Sequence, residues 1–101
     1  MIRFERYPHV LDLLSHYAGT MHDDETRRLL ADGVRTEPEA LHLARFVWRM
    51  IDRMRADSDA GLVVLGRIDN GDLLPDVSYE VSLYLARAGF EEIWDRVADD
   101  A

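Results

Sequence analysis

His9, Asp12 and His16 fall three, four and seven residues apart, so on a helix they share one narrow stripe. Two imidazoles and a carboxylate so placed could share a metal ion, with His42 as a fourth ligand. The plainer expectation is a solvated edge on which Asp12 and His16 pair across one turn, since the sequence shows no groups to orient the ligands. Asp57-Ser58-Asp59-Ala60-Gly61 opens like a calcium loop, but Leu62 stands where that loop needs glycine and Ile68 where it needs a bidentate acid. It reads instead as an acidic helix cap, and Asp69-Asn70-Gly71-Asp72 reads as a turn. The serines Ser15, Ser58, Ser78 and Ser82 lie in no nucleophile elbow, and Ser15 and His16, as neighbours, point about 100° apart on a helix. There is no glycine-rich phosphate loop, and the absence of cysteine removes thiolate metal sites, disulfides and cysteine nucleophiles. The expectation is a protein that is not an enzyme and uses no cofactor.

Every one of the twelve basic residues is Arg, and Lys and Gln are both missing, a usage that fits GC-rich bacterial coding. Ammonium and Schiff-base chemistry is therefore absent, and each cation is a planar, permanently charged fork. Arg45, Arg49 and Arg53, with His42, form a stripe that could hold an anion. A solvated face, or pairing with acids of the same chain, is the expected use, because Asp52 shares that face.

The segment after Pro75 is the most informative. Val77, Val81, Tyr84, Leu85 and Ala88 make a core face, and Asp76, Tyr79, Glu80, Leu83 and Arg87 make a second stripe facing away. Tyr79 and Leu83 amid acids have the composition of a binding hot spot, with Asp76 and Glu80 free to pair with a partner's cations. The alternative is a central helix that buries both stripes.

The elements that position these residues follow from periodicity. Pro8 opens a first helix carrying Val10, Leu13, Leu14 and Tyr17 inward, with Gly19 as its stop. A short second helix starts at His22-Asp23-Asp24-Glu25 and ends at Gly33. Thr36-Glu37-Pro38-Glu39 is a capping box, and residues 37–56 form the longest helix, with Leu43, Phe46, Val47, Met50, Ile51 and Met54 on one face. Residues 57–71 read as a helix, or alternatively as a two-stranded ribbon using residues 62–68 against Ile2-Arg3-Phe4. A helix from Pro75 to Gly89 and a last one from Phe90 to Ala98 follow, the latter with Phe90, Ile93, Trp94 and Val97 inward and Glu91, Glu92, Asp95 and Asp99 outward. The expected fold is all-α, one domain over residues 1–101, a bundle of five or six short helices.

Charge is distributed unevenly over that bundle. Residues 1–56 hold nine Arg against nine acids, whereas residues 57–101 hold Arg67, Arg87 and Arg96 against eleven acids and so carry the whole net charge of −8. Such a field steers association with a basic protein and disfavours nucleic acid and anionic membrane. The opening residues are interrupted by Arg3, Glu5, Arg6 and Asp12, and the longest aliphatic run is Leu62–Leu65. Neither a signal-peptide core nor a membrane span is expected, and the cytoplasm is the default location.

Small size, an acidic half, and Asn70-Gly71-Asp72 followed by Tyr79-Glu80 to Gly89 resemble the class of small acidic bacterial immunity proteins and antitoxins. That resemblance implies stoichiometric neutralisation of a nuclease-type toxin, whose basic cleft is occluded by carboxylates. The implied partner surface comprises Asp69, Asp72, Asp76, Tyr79, Glu80, Leu83, Arg87, Glu91, Glu92 and Asp95. The alternatives are an accessory subunit, an inhibitor that mimics nucleic acid, and a helical metal-binding protein using His9, Asp12 and His16.

Overall fold

An extended arm, residues 2–7, leads into five helices: α1 (His9–Thr20), α2 (Asp24–Asp32), α3 (Glu37–Asp59), α4 (Leu73–Arg87) and α5 (Glu91–Asp100). The computed structural model describes residues 2–59 and 73–100, and no strand occurs among them. The fold is all-α, as the periodicity predicts. The helix or ribbon expected within residues 60–72, with the turn and the acids Asp69 and Asp72, lies outside the described residues.

Helix α3 is the spine. It packs most extensively on α5 and also meets α1, α2 and α4. Its predicted inward face, Leu43, Phe46, Val47, Met50, Ile51 and Met54, is buried against Leu13 and Leu14 of α1, Leu29 of α2, Val77, Val81 and Leu85 of α4 and Ile93 of α5. Each such side chain contributes about 1.5–3 kcal/mol on full burial. The capping box is formed: the Glu39 N–H donates to Thr36 Oγ1 at 3.3 Å and the Thr36 N–H to Glu39 Oε1 at 3.1 Å. The helix then runs three residues past the expected end, to Asp59.

Helix ends elsewhere differ from expectation as well. Gly19 lies inside α1, which closes one residue later in a Schellman turn: the Asp23 N–H donates to the Ala18 carbonyl at 2.9 Å and the His22 N–H to that of Gly19 at 3.2 Å. The left-handed position of that turn is filled by His22, at φ 54°. After α4 the same motif uses Gly89, at φ 91°, with the Phe90 N–H on the Leu85 carbonyl at 2.7 Å. The chain has therefore turned away by Ala88, which is exposed instead of in the core. Helix α4 starts at Leu73, two residues before Pro75, because a proline in the first turn gives up an N–H that has no acceptor there. Because His22 occupies a glycine position, His22→Gly is expected to raise stability by about 0.5–1 kcal/mol, read as a higher Tm.

The arm needs no partner strand. Ile2 and Phe4 are buried, Arg3 and Glu5 are exposed, and the Ile2 N–H donates to the Leu30 carbonyl at 2.9 Å, tying the arm to α2.

Candidate functional site

The outward stripe of α4 meets the arm. Glu80 is only 4% exposed, and its Oε1 accepts the backbone N–H groups of Arg6 and Tyr7, both at 3.2 Å. Asp76 Oδ2 lies 2.9 Å from His9 Nε2 at the start of α1. Both carboxylates expected to reach a partner's cations are thus engaged within the chain. Glu80 sits three residues after Val77 and four before Tyr84, so the helix turns it toward the interior.

Tyr79 does stand in solvent, at 42% exposure, the one exposed large hydrophobic side chain among the described residues. The Arg6 guanidinium lies 5.5 Å from its ring centroid and the Tyr7 ring meets it edge-on at 5.9 Å. Half-buried Leu83 and exposed Arg87 join Arg3 and Arg6 around it, along a cleft of about 120 Å³. The surroundings of Tyr79 are therefore mainly cationic and aromatic, with exposed Glu5 and the inward-turned Glu80 as the acids of the cleft.

The acids divide sharply. In the first 59 residues most lie within ion-pair reach of an arginine: Glu25 and Glu39 with Arg28 and Asp57 with Arg53 closely, Asp24 with Arg27 and Asp52 with Arg55 loosely, at 3.9 Å in solvent. The Arg28 guanidinium holds the Glu39 carboxyl down at about 2. On α5, by contrast, Glu91, Glu92, Asp95, Asp99 and Asp100 are exposed and make no ion pair among the described residues, while Arg96 lies 3.7 Å from Glu37. The opposite face of α5, Ile93, Trp94 and Val97, is buried, which points Glu91, Glu92, Asp95 and Asp99 outward, while Asp100 lies at the groove between α3 and α5.

The arginine stripe of α3 is split. Arg53 pairs with Asp57 at 3.2 Å, and Asp23 binds both Arg49 at 3.1 Å and His42 at 2.9 Å while capping α2 through the Thr26 N–H. Burial pushes the Asp23 carboxyl up, but the Thr26 N–H and His42 outweigh it and leave it below its usual value. Arg45 is exposed and has no ion-pair partner among the described residues. It lines a groove of about 1110 Å³ between α3 and α5, together with Leu41, Trp48, Arg49, Arg96 and Val97. Trp48 stacks on Trp94 with centroids 5.8 Å apart, and its Nε1 is buried with no acceptor. Such an unmade bond costs about 1–3 kcal/mol. Sequence reasoning missed this groove, because it took Arg45 and Arg49 as one solvated face and did not place Arg96 opposite them.

Fully buried Tyr17 donates to Asp57 Oδ2 at 2.8 Å. Burial, then the Asp57 carboxylate, push the Tyr17 phenol well above its usual value, and Tyr17 in turn holds the Asp57 carboxyl down. A phenol raised in the folded state contributes stability that is complete below its unfolded value, about 10, and lost at higher pH. A titration at 295 nm is expected to show one of the four tyrosines ionising only as the helices unfold, and Tyr17→Phe should remove that late step.

The structure does not bring the candidate metal ligands together. Among the described residues no group of three or more His, Asp or Glu side chains could hold a metal ion. His9 faces Asp76, His42 faces Asp23, and the His16 ring lies 5.1 Å from that of Tyr17 in place of pairing with Asp12. Among the described residues no helix is long and apolar enough to cross a membrane. No family model, curated protein or solved structure matches the chain.

Proposed function

We propose that this chain is a non-enzymatic protein-binding module of the immunity-protein or antitoxin kind, which neutralises a nuclease-type toxin by laying the acidic face of α5 over a basic active site. The observation that carries this reading is the set of four exposed, unpaired carboxylates on the outward face of α5, Glu91, Glu92, Asp95 and Asp99, beside acids elsewhere among the described residues of which most lie within reach of a cation or an N–H group of the chain. A nuclease cleft attracts phosphate oxygens, and carboxylates fixed on a packed helix compete for the same cations. Asp99 and Asp100 add a second argument. They occupy the last turn of α5, with no basic residue there, where the helix dipole disfavours negative charge. Folding does not reward acids at that end; binding a cationic partner does. Tyr79 supplies a further contact, an aromatic anchor braced by Arg6 and Tyr7, which meets apolar or acidic atoms of a partner better than basic ones.

Native co-purification from the source cells tests the proposal. The expected result is a basic protein in a one-to-one complex that arrests growth when expressed alone and is tolerated when this chain is co-expressed. A captured protein that is acidic, or whose expression is harmless, would overturn the reading.

A further inference from the structure

Separately from that reading, we infer that the groove between α3 and α5 binds a small amphipathic carboxylate, with an alkyl or aryl body on Leu41, Trp48 and Val97 and its carboxylate among Arg45, Arg49 and Arg96. The volume, about 1110 Å³, leaves ample room for a small molecule of that kind. Its charge runs against the rest of the molecule: three arginines line the groove of a chain whose net charge is −8, with Glu37 and Asp100 as the acids beside them. Arg49 is tied to Asp23 at 3.1 Å and Arg96 lies 3.7 Å from Glu37, but Arg45 has no ion-pair partner among the described residues and presents a fork suited to a carboxylate.

The wall supplies the second argument. Trp48 carries a buried N–H with no acceptor among the described residues, and a native structure that keeps such a donor usually has a reason for it. The same indole lines the groove, so a ligand seated there lies beside that donor. The apolar floor selects the rest of the ligand, because inorganic phosphate would leave Leu41, Val97 and the Trp48 ring wet. The amides at the start of α3 that would serve a phosphate are partly occupied, since the Glu39 N–H is held by Thr36.

Decanoate is the probe. In ¹H–¹⁵N spectra of the full chain, monomeric decanoate is expected to shift the Trp48 indole N–H, identified by its loss in Trp48→Phe, and the amides of residues 41–49, saturably. Decanol should bind about tenfold more weakly, and Arg45→Gln should weaken decanoate by a similar factor. If the Trp48 variant does not fold, Trp94→Phe identifies the remaining indole signal by elimination. No saturable shift up to the solubility limit, equal binding of decanol, or an unchanged affinity in Arg45→Gln would overturn the inference. Neutralising the outward acids of α5 should leave decanoate binding intact, so the two proposals stand or fall separately.

Discussion

Glu80→Ala is expected to lower the unfolding free energy by about 2–4 kcal/mol, because a buried carboxylate that accepts two backbone N–H groups is removed and both donors stay behind unpaired. In a domain of this size that is a fall in Tm on the order of 10–20 °C. The damage should be local first. With the latch gone, the arm loses its hold on α4, and the amides of Arg6 and Tyr7 should exchange with solvent far faster than those of α3. Glu80→Gln retains an acceptor oxygen and should cost markedly less. A chemical melt with hydrogen exchange on both variants checks this, and equal stability of Glu80→Ala and the parent would mean that the arm does not depend on Glu80.

Neutralising the face of α5, with Glu91→Gln, Glu92→Gln, Asp95→Asn and Asp99→Asn together, should do the reverse. Stability should hardly change. These side chains are exposed and unpaired, and the loss of favourable charge at the start of α5 is offset by relief of unfavourable charge at its end. Binding of the basic partner should suffer heavily, its association slowing by about 10–100-fold at low salt. Retained affinity in a correctly folded variant would remove α5 from the interface. Tyr79→Ala is a useful contrast, since it deletes an exposed ring and with it the Arg6 and Tyr7 contacts, leaving the α5 charge untouched.

Much of the fold was legible because helical periodicity records burial directly. Phe46, Val47, Met50 and Met54 repeat at the helical period, and the reciprocal bonds of Thr36 and Glu39 are written in their spacing. What escaped was set by tertiary partners. His22 takes a left-handed turn that glycine usually marks, so Gly19, which lies inside α1, looked like its stop. Ile2-Arg3-Phe4 is too short to announce itself, and its burial depends on the Leu30 carbonyl and on Glu80. The acids behaved likewise. Asp76 and Glu80 looked free on α4 because the residues that claim them, His9 and the amides of Arg6 and Tyr7, lie about seventy positions away. The outward acids of α5 were read correctly as exposed, because Ile93, Trp94 and Val97 define the opposite face without help from elsewhere.

The most direct measurement is the association rate of the co-purified basic partner with the parent chain and with the four-fold α5 variant across a salt series. Free carboxylates that steer a basic protein are screened beyond about 8 Å at physiological ionic strength, so the parent rate should fall steeply as salt rises. The variant rate should start low and stay nearly flat, the two curves converging at high salt. Parallel curves of equal slope would contradict the account, placing the steering charge somewhere other than Glu91, Glu92, Asp95 and Asp99.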